Sequence, residues 1–167
     1  MSIKEKLINI PEKENGDNYE KIVFGQYKLF VEMADRISSR RQLANSFFLS
    51  INTVLITVVG YSVIKLTEFL HISLNITISI AGMILCYTWF RIIKSYKDLN
   101  TAKFKVIHEI EKLLPLSPYD AEWDAVGSGN NPKLYLPFTH IEMKIPWIFF
   151  SLYALSLVLI IIFLFIN

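Results

Sequence analysis

One cysteine and three histidines are all that the 167-residue chain has of the two residue types that most often build covalent staples and metal sites. The lone Cys86 excludes an intramolecular disulfide and leaves the redox compartment open; it reads as a small buried residue in a helix packing face. No Gly-rich phosphate loop, His-Glu-x-x-His motif or nucleophile elbow occurs, so the sequence offers no phosphate cradle, zinc hydrolase or acyl-transfer signature. His108 and Glu111 share a helix turn, but a metal site needs a second such pair, and a solvated face is the simpler reading. No acid, base, nucleophile and metal constellation can be assembled, and the expectation is a protein that is not an enzyme and holds no cofactor. Charge is missing in a patterned way: Asp, Glu, Lys and Arg are absent from residues 42–64, 69–90 and 145–167, gaps of 23, 22 and 23 residues.

What is there is apolar. Hydrophobic residues make up 53% of the chain and charged residues 19%, with a mean hydropathy of +0.39. A helix rising about 1.5 Å per residue needs about 20 apolar residues to cross a hydrocarbon core about 30 Å thick. Each gap suffices once, which predicts transmembrane helices over 44–66, 71–91 and 146–166 and a lipid bilayer as the first partner. The first 41 residues lack the apolar core of a secretion signal. Positive residues stay on the cytoplasmic side of a membrane. Residues 1–41 hold eight Lys or Arg, residues 91–144 hold eight, and the connection between the first two spans holds Lys65 alone. A cytoplasmic N-terminus and an outside C-terminus are therefore expected. Tyr61, Tyr87, Trp89 and Trp147 sit where interfacial aromatics belong. Arg36, Arg40, Arg41, Arg91 and Lys94 read as juxtamembrane anchors for anionic lipid heads. A net charge of +2 carries no strong nucleic-acid signal.

Residues 1–18 read as a flexible leader. From Tyr19, the residues Val23, Tyr27, Phe30, Ala34 and Ile37 recur at spacings of four and three, an apolar stripe on one helix face. The pattern predicts a cytoplasmic helix over 19–43, continuous with span one. In the cytoplasmic region 92–145, Leu99, Ala102, Val106, Ile110 and Leu113 mark a second amphipathic helix that Pro115 and Pro118 stop. Gly127 and Pro132 bound a turn or flexible loop. The fold class is an all-α membrane protein: three transmembrane helices, a long cytoplasmic extension of the first, and a second amphipathic cytoplasmic helix.

Span one carries Ser46, Ser50, Thr53, Thr57 and Gly60 at alternating spacings of four and three. Small and hydroxylated residues in such a line let membrane helices approach closely. Asn45 and Asn52 form a second polar line beside it, and amides facing lipid would be costly. Ser79, Gly82 and Cys86 are a shorter counterpart on span two. Three uses stay open: packing of spans one and two within one chain, contact between subunits, or a water-filled pathway. No span holds an acidic or basic residue in its core, which argues against a proton-coupled transporter or voltage sensor. Asn75 heads a glycosylation-type triplet that reads as chance at the membrane boundary.

The segments EMADRISSRRQLANSFFLSIN (residues 32–52), WFRIIKSYKDLNTAKF (89–104), EKLLP (111–115) and the pair Glu122 and Trp123 resemble the RipA family of bacterial membrane proteins. The resemblance implies a homo-octamer of the bacterial inner membrane. Similar small proteins accompany antiphage systems, including accessory proteins of RNA-targeting CRISPR systems that form ring-shaped pores. The Arg and His pair of ribonuclease-like relatives has no match here, and the third span departs from a two-span pattern. The expected function is a pore or membrane effector in stress or phage defence; the rival is a scaffold that conducts nothing and docks a cytoplasmic protein partner. Asn45, Ser46, Ser50, Asn52, Thr53, Thr57 and Gly60 are the candidates for assembly or a pathway. Arg36, Arg40, Arg41, Arg91, Tyr96, Asn100 and Trp123 are the candidates for cytoplasmic contacts.

Overall fold

The computed structural model describes residues 2–9, 18–65 and 68–166, without the side chains at 63–65 and 68. Half of the leader expected at 1–18, residues 66 and 67 between the first two spans, and Asn167 lie outside the described residues. Every regular element among the described residues is a helix: α1 (Ile3–Leu7), α2 (Tyr19–Lys65), α3 (Glu68–Glu111), α4 (Pro118–Ala125), α5 (Phe138–Glu142) and α6 (Ile145–Ile166). Three helical stretches are long and apolar enough to cross a membrane: Tyr19–Ser62, Phe69–Glu111 and Phe138–Ile166. The chain is an all-α membrane protein. Inside the leader region, α1 starts on a reciprocal cap, with Ser2 N donating to Glu5 Oε2 at 2.8 Å and Glu5 N donating to Ser2 Oγ at 3.2 Å.

Two compact units divide the chain: Met1–Arg40 with Tyr96–Pro137, here the extension unit, and Arg41–Ser95 with Phe138–Asn167, the span unit. Both α2 and α3 run through the division without interruption. In the extension unit, Val23, Ala34 and Ile37 of α2 are buried. Lys103 Nζ of α3 lies 4.6 Å from the Phe30 ring centroid, a cation over an aromatic face. The buried face of α3 is rotated from the stripe that apolar residues alone define. Leu99 and Ala102 are exposed and Ile110 is buried as the stripe expects, but the fully buried positions beside it are Ile107 and, one turn beyond, Glu111. Counting only apolar residues left a carboxylate out of the stripe, and that carboxylate belongs in it.

In the span unit, α3 turns Asn75, Ser79, Cys86, Trp89 and Ile93 inward, and α6 turns Pro146, Tyr153 and Ile160 inward at intervals of seven. Phe48 of α2 stacks on Trp89 at 5.9 Å between centroids, and Trp89 meets Phe149 of α6 at 6.1 Å. Gly82 faces the Tyr153 ring so closely that a Cβ there would lie 2.5 Å from its carbons. The small residues of α3 thus seat an aromatic ring of α6, and the chain supplies its own occupant for that groove. Gly82→Ala is expected to cost about 1–3 kcal/mol by overpacking. Thermal unfolding of the detergent-solubilised protein should show the loss, and a Tyr153→Ala background should remove most of it.

Candidate functional site

Polar side chains that lipid cannot satisfy are gathered in the span unit around two nodes. At the first, Asn52 of α2 is fully buried. Its Nδ2 donates to Phe48 O at 2.8 Å, and its Oδ1 accepts from Cys86 Sγ of α3 at 3.4 Å and from Tyr153 Oη of α6 at 3.1 Å. One amide therefore joins all three long helices. Asn75 repeats the device between two of them, its Oδ1 accepting from Ser79 Oγ at 3.2 Å and from Ser156 Oγ at 2.8 Å. A side chain so enclosed has no access as a glycan acceptor.

At the second node, Glu142 of α5 is 4% exposed. Its Oε1 accepts from Asn45 Nδ2 at 2.7 Å, and Asn45 Oδ1 accepts from Trp89 Nε1 at 2.8 Å. Arg41 Nε lies 3.2 Å from the other carboxylate oxygen, an ion pair without the alignment of a hydrogen bond. The carboxylate is therefore both paired and hydrogen-bonded, as a buried charge requires. Asn45 and Asn52 are used up inside the protomer.

The line of small residues faces the other way. Ser46, Ser50, Thr53, Thr57 and Gly60 are all exposed. They do not pack span one on span two, because Asn52 and Phe48 occupy that face. Thr53 Oγ1 donates to Leu49 O and Thr57 Oγ1 to Thr53 O, each at 2.8 Å, so both hydroxyls are satisfied along their own helix. A Cβ built on Gly60 meets nothing within 4 Å. The protomer thus carries an uncharged, shallow face with no call on its own interior.

In the extension unit the node is Glu111. Its Oε1 accepts from Tyr27 Oη at 2.9 Å and Tyr119 N at 3.0 Å, and its Oε2 accepts from Asp120 N at 3.1 Å. Tyr119 and Asp120 are in the first turn of α4, whose own Ser117 makes no side-chain cap. A carboxylate from α3 therefore caps α4, in hydrogen-bonding and dipole terms the favourable end for an anion. Burial, reinforced by the Glu111 carboxylate, pushes the Tyr27 phenol well above its usual value. His108 Nδ1 lies 3.0 Å from Asp120 Oδ1, so its turn-mate partner is not Glu111.

The other expected contact residues are dispersed. Arg36 pairs with Glu32 at 2.6 Å on an exposed face, and Arg40 is exposed. Tyr96 and Asn100 are half-buried. Trp123 is 40% exposed and packs its ring edge over Gly129, in a turn where Gly127, Ser128 and Gly129 all have positive φ. Among the described residues, no three His, Cys, Asp or Glu side chains are placed to hold a metal ion. The sequence alone pairs Glu111 with His108 rather than with Tyr27 and α4, and singles out neither Glu142 nor Tyr153. The available signals were weak: an acid three residues before a charge-free run, and the one tyrosine within it.

Glu111→Gln should free the start of α4, because the amide that replaces one oxygen presents N–H groups where acceptors are needed. Hydrogen exchange at Tyr119 and Asp120 should accelerate by about tenfold or more, a loss in the range of about 1.5–3 kcal/mol for bonds to a charged acceptor. Tyr27→Phe should leave both backbone bonds and show a smaller effect. Because the folded pKa of Tyr27 is raised, its contribution is full below about pH 10 and declines above it, and Tyr27→Phe should lack that alkaline loss.

A family model described as the Octameric membrane protein family (8xMP) matches residues 24–165. No curated protein and no solved structure matches the chain. The matched stretch takes in Phe69–Glu111 whole, all but the first five residues of Tyr19–Ser62, all but the last residue of Phe138–Ile166, and the Asn52, Glu142 and Glu111 nodes. The chain belongs to the octameric membrane protein family, and self-association within a lipid bilayer is the setting in which its exposed faces act.

Proposed function

We propose that the chain forms a homo-octamer in the bacterial inner membrane, in which neighbouring copies meet along Ser46, Ser50, Thr53, Thr57 and Gly60. The observation that carries this reading is the exposure of that whole line in a protomer whose family is octameric. Small residues let two helices approach closely, and tight packing rather than apolar burial drives association in lipid. The role is physical rather than catalytic: a pore or membrane effector acting in stress or phage defence, as the likeness to the RipA family suggests. With 16 of 17 positive residues in the segments before span one and between spans two and three, the N-terminus lies in the cytoplasm.

Gly60→Leu and Thr53→Leu test the contact line. Neither side chain is needed inside the protomer, so the helical content should stay while native mass falls below eight copies; an unchanged mass sinks the assignment. Ion flux through liposomes carrying the wild-type ring tests the pore. Intact rings in tight liposomes would remove it and favour the scaffold reading, for which the observation is Trp123, exposed on an α4 with no buried residue. In that case a defined cytoplasmic partner should bind the wild type and be lost with Trp123→Ala.

A further inference from the structure

The five cations read as juxtamembrane anchors have different fates. Glu32 neutralises Arg36, and the buried Glu142 neutralises Arg41. Arg40 belongs to the extension unit. Arg91 and Lys94, in the span unit, are exposed and pair with no acid among the described residues. The span unit contains two carboxylates, Glu68 and Glu142. Glu142 is engaged, and Glu68 stands 23 residues before Arg91 on the same helix, about 34 Å away at about 1.5 Å per residue; Asp98, one turn after Lys94 on α3, makes no ion pair with it.

Arg91 is held rather than loose. Its Cζ lies 6.0 Å from the Tyr87 ring centroid and its Nη1 donates to Tyr87 Oη at 3.2 Å. Helical side chains lean toward the N-terminus, so this arginine reaches back toward the apolar part of α3. One N–H serves the tyrosine, and the rest of the guanidinium fork stays open for an oxyanion. Beside it, Phe90 of α3 packs on Trp147 of α6 at 5.3 Å, and Trp147 on Phe150 at 5.6 Å. The Asn75–Ser156 and Phe90–Trp147 contacts show the two helices antiparallel. Lys94, one turn after Phe90, and the exposed Lys144, about one turn before Trp147, therefore flank the aromatic layer on the same side. Tyr87 and Trp147 are 50% and 45% exposed.

Three cations with no ion pair among the described residues, beside an aromatic layer whose Tyr87 and Trp147 are exposed, at the end of two spans, match one chemistry: an anionic head on an apolar tail. We propose that Arg91, Lys94 and Lys144 bind the phosphodiester of an anionic glycerophospholipid, with the acyl chains lying along Tyr87, Phe90 and Trp147. The arginine fork takes the phosphate oxygens, the lysines add point charge, and the rings occupy the headgroup boundary where amphipathic aromatics settle.

Native mass spectrometry of the full chain, released from detergent with matched phosphatidylglycerol and phosphatidylcholine, tests the site. The wild type should retain the anionic lipid in preference, and the double variant Arg91→Gln and Lys94→Gln should lose about five-fold of that preference per cation removed. The same spectrum reports copy number, so failure of the octamer is seen separately from failure of lipid binding. Raising salt from about 0.1 to about 1 M shortens the screening length from about 10 to about 3 Å and should erase the wild-type preference, a readout that needs no variant. Equal retention of the two lipids, as expected if a neighbouring copy seals the patch, would overturn the proposal. So would a preference that neither salt nor the double variant changes.

Discussion

An amide inside a hydrocarbon layer has no water to turn to, and Asn52 meets that constraint with Cys86, Tyr153 and the carbonyl of Phe48. Much of the span unit depends on this arrangement because it sets the rotation of α2 about its own axis. At about 100° per residue, Asn45 lies on nearly the same face as Asn52, and it is found reaching Trp89 and Glu142. Ser46, Ser50, Thr53, Thr57 and Gly60 centre about 120° away on the same count. Once the amides point inward, the line of small residues has to point outward. What covers it is then another chain or lipid, and the family's octameric state makes another chain the natural occupant.

The two buried carboxylates illustrate different solutions to one problem. Glu142 is held by a cation and an amide, so its surroundings answer charge with charge. Among the described residues Glu111 has no cation paired with it; it is held by a phenol and two backbone N–H groups at the start of a helix, where aligned peptide dipoles favour an anion. In each case the acid ties a short helix, α5 or α4, to a long one. Removing one partner of such a group leaves an uncompensated charge, so these are positions where a single substitution is costly to the fold.

Outward faces carry the functional reading. A membrane protein that closes its polar groups within the protomer presents two kinds of surface: apolar side chains for acyl tails, and the few features that tails do not fit. Here the latter are the shallow face of α2 and the cationic, aromatic end formed by α3 and α6. The first suits close helix contact and the second suits charged lipid heads. On the proposed reading, assembly and lipid binding fall to different parts of the span unit.

Three membrane-length helices were legible from charge gaps alone, because a bilayer imposes a length and a polarity that few other environments do. The stripe at Val23, Ala34 and Ile37 was legible from period, since an apolar face must be buried somewhere. The partners of the polar residues were not legible. Asn52 and Tyr153 are 101 positions apart, Asn45 and Glu142 are 97, and Tyr27 and Glu111 are 84. Spacing along one helix says which residues share a face but not which face turns inward. That choice came from pairing each amide and acid with a donor or acceptor on another helix. It also rotated the buried face of α3 onto Ile107 and Glu111, because a carboxylate can be a core residue once three donors surround it.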